Sequence, residues 1–293
     1  MANELCYNKI DPHNKQANCA IKALVGRKID LKMEQSPAML TQSVTRALGI
    51  LSCFSNETPQ LRVIDFAKML NLTQSNVSRL LTTMVSIGYV VKDEATGFYR
   101  LGPEIVMLGG VALNNYEIRK QALPELYEIE KRLGLDANLA ILDDDTLFYL
   151  AHVDSYDSPR MYTYVGRRNP LHCTAMGKVL LAYSEPEETE RLLSEAPMRS
   201  YTEHTIVSKD QLSEQFDRIR RKGYATEQEE LALGRACLAA PIMERTGAVA
   251  AAISVSGSLS KVNLPEREKE LAGVLIELAD RISSKMGHTT ARV

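Results

Sequence analysis

Apolar residues Val77, Leu80, Leu81, Met84 and Ile87 recur at intervals of three and four, which predicts an amphipathic helix. Its other face carries Gln74, Ser75, Asn76, Ser78, Arg79, Thr82 and Thr83: neutral hydrogen-bonding groups, one Arg and no carboxylate. Solvated faces usually mix Glu with Lys. This one suits a helix in the major groove, where base edges offer donors and acceptors and phosphates repel carboxylates. An ordinary solvent-facing helix is the alternative reading of the same pattern. Thr73 is a good N-cap. Before it, residues 63–70 form a shorter helical run with small Ala67 at a close contact, and Asn71 stands where a C-cap needs left-handed backbone. After it, residues 89–91 and 98–101 are β-prone and flank a charged turn at 92–97. Helix, turn, helix, hairpin is the order of a winged helix.

The rest of the chain divides by the same logic. Residues 1–40 lack clear periodicity and read as a disordered tail with room for one short helix. A helix is predicted over 43–54, burying Val44, Ala47, Leu48, Leu51 and Phe54, so that the expected winged-helix unit spans 41–102. Gly102-Pro103 opens another helix, a linker over 103–116 whose apolar residues and Gly109-Gly110 serve either dimerisation or packing onto the next domain. Residues 117–288 mix both periods. Helices are predicted over 116–133, 175–183, 186–193, 209–222 and 266–286, and strands over 138–142, 147–153, 160–165, 237–243 and 249–255. Strands among helices, without GxGxxG or a P-loop, indicate an α+β sensor-like domain around an antiparallel sheet.

Composition narrows the class. The 293 residues, 45% hydrophobic and 25% charged, suit about two soluble domains. No apolar run reaches membrane-span length and no signal-peptide core is visible, so a cytoplasmic location without membrane contact is expected. The five cysteines form no CxxC pair, so neither a zinc site nor a disulfide framework is expected. The net charge of −2 conceals an asymmetry. Residues 1–103 hold 12 basic and 8 acidic side chains, whereas residues 104–293 hold 23 and 29. A mildly basic front on an acidic back fits a nucleic-acid module joined to a domain with another task. The excess is small, so a dimer is expected to supply further phosphate contacts.

Candidate ligand chemistry lies in the second domain. Thr174 is a natural N-cap, and the amides of Ala175 and Met176 after it would carry the positive end of a helix dipole toward an anion. A plain capped helix start is the other reading. Ser254 and Ser256 lie two apart on an apolar strand, so both hydroxyls share a face and need partners, whether a ligand, backbone groups or water. Cys237 and Glu227 lie on neighbouring strand segments that could complete a pocket, with Glu227 as either a hydrogen-bond acceptor or a surface charge. Asp143-Asp144-Asp145 reads as a hydrated hairpin turn rather than a metal site. Adjacent His172 and Cys173 would point oppositely on a strand, and His152 and His204 lack HExxH-like spacing, so no catalytic constellation, metal or cofactor is expected.

The chain resembles the IclR family of bacterial transcription regulators over about residues 43–287. The residues that carry the resemblance are RALGIL (46–51), SRLLTTM (78–84), GYV (88–90), TGFYRLG (96–102), PLHCTAMGKVLLA (170–182), RRKGYA (220–225), ALGRACLAAPI (232–242) and AISVSG (252–257). It implies a winged helix-turn-helix domain, a linker helix and a GAF-like α+β effector domain, assembled as a homodimer or dimer of dimers. It further implies operator contacts from Arg46, Thr73, Gln74, Ser75, Asn76, Ser78, Arg79, Thr82 and Arg100. A small carboxylate effector would meet Thr174, Ala175 and Met176, with Met161, Asn169, Glu227, Cys237, Ser254 and Ser256 lining its pocket. RMYTYVGRRNPL with TAMGKVLLA is similar to the 2-keto-3-deoxygluconate repressor branch. The chain departs from the family pattern at residues 73–76, where Thr-Gln-Ser-Asn replaces the common Pro-Lys-Ser-Thr. It departs also at Phe98, where a basic residue is frequent, and at Glu227, where Asp is common.

Overall fold

The computed structural model describes residues 41–156 and 163–289. The expected N-terminal tail and Met161 lie outside the described residues. The chain divides into two compact units between Val111 and Ala112.

In the first unit, α1 (Gln42–Leu51), α2 (Val63–Leu70) and α3 (Gln74–Ser86) precede a wing of β1 (Val90–Lys92) and β2 (Tyr99–Leu101). Asn71 ends α2 in left-handed geometry, φ 52°, and Thr73 caps α3 by accepting from the Asn76 amide at 3.4 Å. Leu61 bridges Tyr99, which ties the start of α2 to the wing. Ile50, Phe66, Val77, Leu81, Val90 and Tyr99 form the core. Phe66 meets Phe54 and Tyr99 edge-on, at ring separations of 5.3 and 6.5 Å. Two parts of the expected pattern are displaced. On α1, Ala47, Leu51 and Phe54 pack inward around buried Ile50, but Val44 and Leu48 face outward, 54% and 58% exposed. The stripe is rotated because Ile50, omitted from it, is the residue that reaches Phe66's cluster. Ile87, the C-cap of α3, is likewise exposed. α4 (Pro103–Asn114) follows, with no buried residue along its length.

In the second unit, α5 (Glu117–Leu133) leads into β3 (Asp136–Asp143) and β4 (Thr146–Val153). Next come β5 (Arg168–Asn169), α6 (Ala175–Tyr183), α7 (Pro186–Glu195) and α8 (Lys209–Lys222). β6 (Ala225–Gln228), β7 (Arg235–Met243), β8 (Val249–Ser258), α9 (Leu259–Val262) and α10 (Leu264–Lys285) complete it. Among the described residues the strands form one antiparallel sheet in the order β5-β4-β3-β8-β7-β6. The strand expected over 160–165 is not formed in its described part. Residues 163 and 164 have no ladder partner and the chain turns at Gly166, φ 87°, before β5 pairs with β4.

The strand period of two sorts the sheet's side chains between two cores. Leu139, Leu238, Ile253 and Val255 face α5 and α10, meeting Leu126, Ile129, Leu271, Leu275 and Leu278. Ala140, Tyr149, Ala239 and Ala252 face α6, and with its Val179 and Leu180 they form a core that continues to Leu212 and Phe216 of α8. Among the described residues no helix is long and apolar enough to cross a membrane.

Candidate functional site

The polar face of α3 is one candidate surface. Val77, Leu81 and Met84 hold the helix to the core, leaving Thr73, Gln74, Ser75, Ser78, Arg79 and Thr82 exposed and Asn76 half-buried. These residues share one face, as their spacing predicts. Thr82 donates its hydroxyl hydrogen back to the Ser78 carbonyl at 2.9 Å, so outward it offers lone pairs. Arg46 is half-buried on α1, and Arg100 is exposed on β2. Sequence reasoning missed Arg62, whose guanidinium carbon lies 4.4 Å from the centroid of the Phe98 ring. Only the folded wing brings these residues, 36 positions apart in sequence, together.

The second candidate site lies on the sheet face that receives α6. Ser254 and Ser256 are both buried there. Their shared partner is Asn138 on β3, whose Nδ2 donates to Ser254 Oγ at 3.2 Å and to Ser256 Oγ at 3.3 Å. Asn138 Oδ1 meets His152 Nδ1 at 2.8 Å, and His152 Nε2 meets Asp154 Oδ1 at 2.8 Å. Arg235 Nη2 donates to Ser256 Oγ at 3.1 Å. The expected pair Glu227 and Cys237 are direct neighbours across β6 and β7, and Cys237 is opposite Ser256 across β7 and β8. Burial, reinforced by Glu227, pushes the Cys237 thiol well above its usual range, so it stays neutral. Asn169 donates to the Tyr149 hydroxyl at 3.2 Å and accepts from Arg167 Nε at 3.1 Å. Burial raises the Tyr149 pKa to about 12.

The loop into α6 completes this face. Thr174 caps the helix by accepting from the Gly177 amide at 3.1 Å, and donates to the Pro170 carbonyl at 3.0 Å. The Ala175 and Met176 amides come before the helix's own ladder begins, so neither has an intrahelical partner. Gly177 serves the loop rather than a ligand. A β-carbon there would lie 2.2 Å from the Leu171 carbonyl oxygen, so only glycine permits the close turn.

Glu227 is buried, which rules out a surface charge. Its Oε1 accepts from the amides of Glu230 at 2.6 Å and Leu231 at 3.3 Å, and burial raises its pKa. Beside it, Lys178 of α6 is fully buried and pairs with Glu230 at 2.5 Å. The second Glu230 oxygen is buried without a hydrogen-bond partner among the described residues. Burial, first, raises the Glu230 pKa, with Lys178 opposing. Sequence reasoning missed Lys178, Glu230, Asn138, His152 and Arg235. The one available signal was Lys178 itself, a lysine in the apolar run of α6.

Residues 110–284 match the family described as "Bacterial transcriptional regulator IclR C-terminal", and residues 43–94 match the "IclR helix-turn-helix domain". The chain belongs to the IclR family. It is 34% identical to the HTH-type transcriptional regulator KdgR of Dickeya chrysanthemi over 84% of this chain and 80% of that protein. It is 33% identical to KdgR of Escherichia coli (strain K12), over 84% and 93%. The crystal structure of Thermotoga maritima IclR superposes with a TM-score of 0.72 at 28% identity, covering 84% of this chain and 98% of that one. This IclR-family chain is therefore a DNA-binding transcription regulator with an effector domain, and it resembles the KdgR branch. These families and relatives are regulators rather than enzymes.

Proposed function

We propose that this chain represses a catabolic operon and leaves its operator when a small carboxylic acid, such as the sugar acid 2-keto-3-deoxygluconate, binds the α6 face of the sheet. The observation that carries the reading is the polarity of the two serines. Asn138 Nδ2 donates to both hydroxyl oxygens, and Arg235 donates to one of them. Each hydroxyl hydrogen thus remains available to a ligand acceptor, and two convergent donors suit a carboxylate or keto oxygen. The amides of Ala175 and Met176 add the field of a helix N-terminus. Asn169 and Glu227 would meet sugar hydroxyls, and Thr174 holds the loop. Operator bases would be read by Gln74, Ser75, Asn76, Ser78 and Arg79, with phosphates met by Arg46, Thr73, Thr82 and Arg100. The working form is a homodimer, with two dimers pairing in turn. Val106, Met107 and Val111 are 76%, 52% and 55% exposed on a helix with no buried residue, a face suited to a second copy. We place the domain limits at 41–102 and 117–288, joined by a linker over 103–116, and the protein in the cytoplasm.

Thermal melts with 2-keto-3-deoxygluconate, a short keto acid and an aromatic acid test the ligand class. At one hundred times Kd the bound acid adds about 2.7 kcal/mol of stability. The sugar acid is expected to stabilise the protein, and the Ser254→Ala/Ser256→Ala variant to lose the effect. Equal stabilisation of that variant would place the acid elsewhere. Stabilisation by the aromatic acid alone would replace the sugar-acid assignment.

A further inference from the structure

We propose that Arg62, whose guanidinium lies over the Phe98 ring, gives the wing a second contact to a DNA backbone phosphate besides that of Arg100. The wing's own charges cancel. Residues 90–101 contain Lys92, Asp93, Glu94 and Arg100. Lys92 is taken up by Glu94 at 2.6 Å. Asp93 accepts from the turn amide of Ala95 at 2.9 Å and from the Thr96 hydroxyl at 2.6 Å, and it feels the charge of Arg100. A strand pair with balanced charge offers a polyanion no net attraction. Arg62 changes that balance from outside the wing. Its amide donates to Asp65 Oδ2 at 2.8 Å at the start of α2, while its guanidinium makes no ion pair among the described residues. Arg62 is exposed, and Leu61, beside it, is bridged to Tyr99, beside Phe98, so the backbone ladder fixes the two side chains as neighbours.

A cation–π contact draws on the charge distribution of the ring and needs no hydrogen-bond acceptor, so the guanidinium keeps its N–H donors for another partner. A separation of 4.4 Å is within cation–π range. Phe98 therefore orders the long side chain before DNA arrives and aims a planar fork at a bidentate phosphate contact. A groove of about 310 Å³ opens beside the ring, and its charged lining is Lys92, Asp93 and Arg100.

The test measures binding of the full chain to two unrelated mixed-sequence 40-bp duplexes by fluorescence anisotropy, between about 50 and 200 mM salt. Each phosphate contact contributes a slope of about −0.9 in log K against log salt. Arg62→Ala is expected to lose about that much slope per bound chain, equally on both duplexes. Phe98→Leu removes the π face but no charge, and is expected to weaken binding about two- to fivefold. Moving the cation onto the strand, in Arg62→Ala/Phe98→Arg, is expected to restore the slope. If the pair only staples α2 to the wing, Arg62→Ala will melt at lower temperature with its salt slope unchanged. That result, or wild-type affinity in Phe98→Leu, overturns the proposal.

Discussion

The two candidate surfaces are built from polar side chains in opposite ways. On α3 the groups that would read DNA are exposed, apart from half-buried Asn76, and carry no part of the core, which Val77, Leu81 and Met84 supply. On the α6 face of the sheet the polar groups are themselves buried, and they hold one another in place. Asn138 bridges two serines, Glu227 holds the 230–231 turn, and Lys178 neutralises Glu230. Recognition can therefore be altered on α3 without touching the fold. On the sheet, the site and the fold are the same set of bonds.

The largest expected effect comes from breaking that overlap. Lys178→Met leaves Glu230 buried without its cation, and is expected to cost about 3–5 kcal/mol in a urea titration. Replacing both, in Lys178→Met/Glu230→Leu, is expected to regain most of it. A single variant as stable as the wild type would show that the ion pair is not part of the sheet's support. The contrasting test is Arg79→Ala. It is expected to weaken operator binding by about 1–3 kcal/mol while leaving stability within about 0.5 kcal/mol. A large loss of stability would erase the distinction between the two surfaces.

The smallest effect is one of pH. Burial raises the folded-state pKa of Glu227, so between about 4.5 and that raised value the folded chain holds a proton that the unfolded chain has lost. Stability contributed by this group falls as pH rises through that window. Glu227→Gln keeps an acceptor for the Glu230 and Leu231 amides and removes the titration. Its stability relative to wild type is expected to improve from pH 4 to pH 7, by about 1.4 kcal/mol for every pH unit that the window spans. Parallel curves would mean that Glu227 titrates normally.

The same contrast governs what the sequence disclosed. α3 was legible because its cap, its stripe and its uncharged face all lie within a few turns of one helix. Ser254 with Ser256 was legible because the strand period places both on one face, and Glu227 with Cys237 because they lie on consecutive segments of the chain. Asn138 was not, since its role depends on β3 lying beside β8, which strand-forming residues alone do not specify. His152 is one strand further away. Lys178 and Glu230 are 52 residues apart and meet only when α6 covers the sheet. On α1, periodicity admitted two rotations of the stripe, and the packing of Ile50 against Phe66's cluster chose between them. Arg62 and Phe98 were each visible as residues, but not as a pair.

An acid bound on the α6 face of the sheet is expected to control DNA binding by α3. Fluorescence anisotropy on the promoter fragment beside the protein's own gene, titrated with 2-keto-3-deoxygluconate, tests it most directly. Wild-type protein is expected to release the fragment as the acid is added. Ser254→Ala/Ser256→Ala is expected to bind the fragment equally well and to stay bound. Release of the double variant at the wild-type concentration of acid, or no release of the wild type at any concentration, would contradict the account.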